Sequence, residues 1–159
     1  MNIIFLDVDG VLNCVETKNK CNGLLGIDGM KVKRLKEIVD KTNAKIVLTS
    51  TWKMGWDEDN DKCHYDAKYL NNKLSKQGLF IYDKTIDNGS NRGEGIYDWI
   101  MSHEVENWVV LDDEVFKDFD NVIKDHLVQT NFYDPKGGLQ NRHMDKILKI
   151  LRRNKYEIF

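Results

Sequence analysis

Apolar residues in this chain fall into two kinds of pattern. Three short runs are continuous and β-branched. They are Asn2–Leu6 (NIIFL), Lys45–Leu48 (KIVL) and Trp108–Leu111 (WVVL). Unbroken apolar runs of this length suit strands covered on both faces of a parallel sheet. Weaker strand signals lie at Leu79–Tyr82 and Leu127–Thr130. Between the runs, apolar positions recur at helical spacing. Val32, Leu35 and Val39 follow Asp28, which is placed to cap a helix. Ala67, Leu70 and Leu74 repeat the spacing, and Ile96, Trp99 and Ile100 do so after a turn at Gly95. Met144, Ile147, Leu148 and Leu151 form the cleanest stripe, after a turn at Gly137-Gly138.

Strands therefore alternate with helices along the whole chain. This order predicts an α/β fold, a doubly wound, Rossmann-like parallel sheet with helices on both faces. Two polar, irregular stretches interrupt the alternation, Asn13–Gly26 and Trp52–Lys62. Both read as loops, and loops at the carboxyl edge of a sheet often carry function.

Composition narrows the class. The length of 159 residues suits one domain spanning 1–159, and 41% hydrophobic residues suffice for its core. Lysine and arginine number 24 against 26 acidic residues, a formal net charge of −2, which excludes a nucleic-acid binder held by bulk positive charge. No apolar run approaches the roughly 18 residues of a membrane span, and the start lacks the form of a secretory signal. The three cysteines, Cys14, Cys21 and Cys63, are an odd number without metal-site spacing, so a reducing cytoplasm is expected and zinc is not. His64, His103, His126 and His143 are scattered and read as surface or helix-end residues.

The chemistry gathers where the runs end. The first ends in Asp7-Val8-Asp9-Gly10, the second in Thr49-Ser50-Thr51, the third in Asp112-Asp113-Glu114. In a parallel sheet these ends share one edge, where ligands of open α/β sheets bind. Several carboxylates so close repel one another, and a hard divalent cation with oxygen ligands, Mg²⁺ above all, removes the conflict. An aspartate beside Mg²⁺ can attack phosphorus, and a second can move the proton of the leaving group. Ser50 can hold a phosphoryl oxygen, and a cation is still needed for its charge.

These segments resemble the motifs of the haloacid dehalogenase superfamily. Asp7-Val8-Asp9-Gly10-Val11-Leu12 is similar to its first motif, Ile46–Ser50 to its second, and Val109–Asp113 to its acidic fourth. Arg92 in Asn91–Ile96 best matches the third-motif cation, with Lys84 as a rival. Leu-Thr-Ser-Thr-Trp, Arg-x-x-x-Ile-x-x-Trp and Leu-Asp-Asp-Glu resemble, more narrowly, the small phosphatase-type members grouped with RNA-repair-like proteins. The resemblance implies roles. Asp7 would be nucleophile and Mg²⁺ ligand. Asp9 would be the general acid/base and a ligand through its backbone carbonyl. Ser50, or a flanking threonine, would bind phosphate and Arg92 would neutralise it. Asp112 and Asp113 would complete the metal site.

The resemblance also implies, from the acid at position 9, phosphate-ester chemistry rather than dehalogenation. Leu12–Asp28 and Thr51–Leu79 are too short for a cap domain with its own core, so a capless enzyme is expected. The expected function is a Mg²⁺-dependent phosphomonoester hydrolase acting through an aspartyl phosphate, on nucleotides or polynucleotide phosphate ends. The alternatives are a small-metabolite phosphatase and a non-catalytic phosphate-binding regulatory domain. Trp52 and Trp56 suit packing, or stacking on a substrate ring. Lys146, Lys149, Arg152, Arg153 and Lys155 read as a solvated basic helix face.

Overall fold

The computed structural model describes residues 1–153. Lys155 of the basic stripe lies outside them. In chain order the elements are β1 (Asn2–Leu6), β2 (Lys20–Cys21), β3 (Leu24–Leu25), α1 (Gly29–Thr42), β4 (Lys45–Leu48), α2 (Tyr65–Ser75), β5 (Ile81–Lys84), α3 (Arg92–Met101), β6 (Asn107–Asp112), α4 (Asn121–His126), β7 (Leu127–Gln129) and α5 (Met144–Leu151). Five strands form a sheet in the order β5-β4-β1-β6-β7, and every pairing is parallel. The chain builds outward from β1 to β5, then returns to the other side of β1 with β6. The crevice between β1 and β6 is therefore the topological switch point.

The pleat explains the unbroken apolar runs. Ile3, Phe5, Val47 and Val110 lie on one face, packed with Ile96 and Trp99 of α3 and Ile123 of α4. Ile4, Leu6, Ile46, Leu48, Val109 and Leu111 lie on the other, against α1, α2 and α5. Both faces are buried, so no polar alternation survives in the sequence. Asp28 caps α1 by accepting from the Met30 N–H at 3.0 Å, a bond typically worth about 1 kcal/mol.

Several local expectations shift. The strand expected at Leu79–Tyr82 is β5, Ile81–Lys84. Leu79 is buried, but its N–H closes onto the Leu74 carbonyl at 3.0 Å after Gly78 in the left-handed region, so its backbone terminates α2. Gly95 does not precede α3 but lies inside it. A Cβ there would stand 2.8 Å from the Asp87 carboxylate, so the glycine serves a close approach rather than a turn. In α1 the third fully buried position is Ile38, with Val39 beside it half-buried; in α5 Ile150 takes the place expected of Leu148.

The two irregular loops contain some order. Asn13–Gly26 carries the β2–β3 ribbon, and the chain after β4 forms short 3-10 turns at Thr51–Gly55 and Asn60–Lys62. No separate cap domain stands over the sheet edge among the described residues. No helix is long and apolar enough to cross a membrane.

Candidate active site

The strand register sets the floor of the site. Leu6 pairs with Leu48 on one side and Leu111 on the other, so the residues just beyond them emerge level. Asp7 donates its N–H to the Leu111 carbonyl at 3.0 Å, and Thr49 donates to the Leu6 carbonyl at 2.9 Å. This places Asp7 and Asp112 side by side at the switch point. Asp7, Asp112 and Asp113 each offer a carboxylate oxygen within 4.8 Å of the others. Asp112 is fully buried and Asp7 nearly so. Gly10, with φ +88°, completes the corner, where a Cβ would collide with the Asp113 carboxylate.

One cation serves these acids directly. Arg92 Nη1 donates to Asp112 at 2.7 Å and meets Asp7 at 3.2 Å, with its guanidinium over the Phe116 ring at 4.2 Å. Arg92 Nε is buried without a partner among the described residues. Three carboxyl groups face one guanidinium, so acid outnumbers base at this point. The charge is felt in the titration of the acids. Burial, then the neighbouring Asp112, hold the Asp7 carboxyl well above the usual range, with Arg92 pulling the other way. Burial and Asp112 push Asp113 up to about 6. Burial opposes the Arg92 charge, yet Asp7 and Asp112 outweigh it and hold the guanidinium above its ordinary value. A clustered set of hard oxygen donors with excess negative charge fits a hard divalent cation such as Mg²⁺.

Asp9 stands apart from this trio. It is exposed, and its carboxylate accepts from Asn13 Nδ2 at 2.9 Å and from the Trp52 indole at 3.1 Å. Asn13 is fully buried; it also donates to the Gly26 carbonyl at 3.0 Å and accepts from the Gly10 N–H at 2.9 Å. The three candidate hydroxyls differ. Ser50 is buried and accepts from the Trp52 N–H at 3.2 Å, capping the turn that follows β4. Thr49 Oγ1 is buried with no partner among the described residues, and Thr51 is exposed.

Lys84 is engaged elsewhere, donating to the backbone carbonyls of Lys53 and Trp56 at 3.1 and 2.7 Å. Lys53, which sequence reasoning leaves inside a polar loop, is buried and donates to Thr85 at 2.9 Å and to Asp87. No pattern marks that pair; a lysine among polar residues looks solvated. His103 stacks on Trp99 and His126 on Trp108, each at 3.7 Å, while His64 lines the cleft beside the trio. All three cysteines are free and buried.

Beside the acidic floor opens a cleft of about 850 Å³. Asp9 and Asp113 line it, and the ribbon, Trp52, the start of α2 and the Asn131–Tyr133 segment form its walls.

A family model for the HAD domain in Swiss Army Knife RNA repair proteins matches residues 3–144. The chain belongs to that family. Searches of curated proteins and of solved structures found no match. Membership accounts for the architecture of this HAD domain, with its acidic residues at the switch point of a five-stranded parallel sheet. It also brings hydrolase chemistry of the phosphatase kind as the general expectation for the chain.

Proposed function

We propose that this HAD domain is a Mg²⁺-dependent phosphomonoester hydrolase that works through an aspartyl phosphate on Asp7, with nucleotides or polynucleotide phosphate ends as substrates. The observation that carries the reading is the trio of Asp7, Asp112 and Asp113 with its excess negative charge. Asp7, Asp112 and Asp113, with the Asp9 backbone carbonyl, would hold the ion. Bound there, Mg²⁺ supplies positive charge that lets an anionic phosphate approach anionic carboxylates.

In the first half-reaction an Asp7 carboxylate oxygen bonds to phosphorus as the ester P–O bond breaks, and Asp9 gives its proton to the departing oxygen. Asn13 and Trp52, both donating to Asp9, hold that carboxyl in place. In the second half a water gives its proton to Asp9 and its oxygen to phosphorus. The bond to Asp7 breaks, releasing phosphate and restoring both acids. Ser50 binds a phosphoryl oxygen, and Arg92, already between Asp7 and Asp112, steadies the nucleophile and the negative charge around it.

Asp7→Asn tests the assignment. It should lower phosphate release from an aryl phosphate by more than about a thousandfold, as loss of a nucleophile does. Its circular dichroism should remain that of the parent. Undiminished turnover in a folded Asp7→Asn protein would falsify the role given to Asp7.

A further inference from the structure

The cleft beside the acidic floor bears on the identity of the leaving group, an inference that rests on the hydrolase reading of the site. A proton donor must lie within hydrogen-bond reach of the oxygen it protonates. Asp9 lines the cleft, so the group on the far side of that oxygen has to occupy it. The volume of about 850 Å³ falls in the range of small-molecule sites.

Its walls have a distinct chemistry. Trp52, Tyr65, Phe132 and Tyr133 supply four aromatic rings, and Leu24 and Leu25 of the ribbon add aliphatic surface. Tyr65, Tyr133 and Leu24 are 65%, 82% and 75% exposed, more than packing alone calls for in three large apolar residues around one opening. The Trp52 indole donates to Asp9, so its ring stands beside the bond to be broken. Four carboxyl side chains and one imidazole, His64, line the cleft. The carboxyls are those of Asp9, Asp66, Asp113 and Glu114, while no lysine or arginine lines it among the described residues. Asp66 and Glu114 form no ion pair among those residues. Such carboxylates accept hydrogen bonds from neutral hydroxyl and amino groups, and they repel further phosphates.

We propose that this cleft is the leaving-group subsite and takes a single uncharged nucleoside, so that nucleoside monophosphates are preferred over the phosphorylated ends of longer strands. Flat, neutral, hydroxyl-rich groups match aromatic walls flanked by acids. A strand that followed this cleft would bring each additional phosphate along the same acidic walls, with no lysine or arginine among the described residues to receive it.

The test compares substrates on the intact, Mg²⁺-loaded chain. Phosphate release is measured from uridine and adenosine 3′- and 5′-monophosphates, from the corresponding phosphorylated tetranucleotides, from a phosphotyrosine peptide and from methyl phosphate. The monophosphates should exceed the tetranucleotides in kcat/KM by about tenfold or more, through like-charge repulsion. Tyr65→Ala and Tyr133→Ala remove exposed rings that the fold does not need. Each should lower the ratio of nucleotide to methyl phosphate kcat/KM by about tenfold, the scale of one lost stacking contact. Binding of adenosine alone, followed by tryptophan fluorescence, should weaken in the same variants.

Tetranucleotides used as well as or better than monophosphates would overturn the proposal, as would a preference for the phosphopeptide. So would adenosine binding that ignores both tyrosines. Failure to release phosphate from any compound, methyl phosphate included, would instead overturn the hydrolase reading. Adenosine binding would then still decide the nature of the cleft.

Discussion

Two buried charge clusters lie close to the carboxyl edge of this sheet, and they are built differently. Lys53 meets Asp87 and Thr85: one cation, one carboxylate, one hydroxyl, all partnered. Arg92 meets Asp7 and Asp112, with Asp113 crowding in: one cation and three carboxylates. Burial is equally deep, the side chains being 6% and 1% exposed in the Lys53–Asp87 pair and 7% and 0% in the Arg92–Asp112 pair. Depth therefore does not separate the two clusters; balance does. Burial works to raise the Asp87 carboxyl, yet the Lys53 hydrogen bond and the Gly89 N–H hold it below the usual range. In the trio the neighbours are acids, and Asp7 and Asp113 are displaced upward. A balanced cluster is complete as folded, whereas an unbalanced one has carboxylate oxygens to spare for a cation from outside.

Breaking the balanced pair should have the largest effect on stability. Asp87→Ala leaves Lys53, an ammonium whose pKa burial already depresses, without its counter-charge. Loss of one partner from a buried pair costs about 3–5 kcal/mol, so the urea midpoint should fall sharply. A loss under about 1 kcal/mol would mean that water reaches Lys53 and that the two clusters are not comparable.

Removing an acid from the unbalanced cluster should act in the opposite direction. Asp113→Asn relieves repulsion in the metal-free protein. Asp113 is partly exposed, and solvent screening reduces its gain to on the order of 1 kcal/mol. In EDTA the variant should melt higher than the parent. With Mg²⁺ added the order should reverse, because the parent gains more from the ion. Calorimetry in the two buffers distinguishes this from a simple packing change, which would shift both melts alike.

The smallest effect is a dependence on pH. Asp113 titrates at about 6 in the fold against an ordinary value of 3.8. Between about pH 4 and pH 6 the metal-free fold keeps a proton that the unfolded chain gives up, so stability falls as pH rises through that window. Asp7 is shifted the same way and adds to the slope. Asp87, shifted downward, keeps its contribution throughout and loses it only in stronger acid. Urea midpoints in EDTA at pH 4.5 and 7 should show the decline, and Asp113→Asn should flatten it. Mg²⁺ affinity should climb across the same range, since the ion displaces protons.

Much of this is legible in the chain because strands buried on both faces advertise themselves. Asp7, Ser50, Asp112 and Asp113 each follow an unbroken apolar run, so their shared edge can be inferred from the sequence alone. Arg92 is visible there as a cation near a helix start, but not the two carboxylates it joins. Lys53 and Asp87 meet across 34 positions with no periodicity to announce them. The displacement of β5 is hidden because Leu79 is apolar like the strand residues after it while its N–H belongs to the end of α2. Tyr65 and Tyr133 sit in separate polar segments, and only folding sets both with Trp52 around one cleft.

Asn13 has a mechanical consequence. Its one amide holds the Gly26 carbonyl at the base of the ribbon, the Gly10 N–H at the first corner of the chain, and the Asp9 carboxylate. The wall of the cleft and its acid therefore share a hinge pin. In the proposed reaction, a guest that displaced the ribbon would act on Asp9 through the same amide, coupling the size of the guest to the aim of the acid.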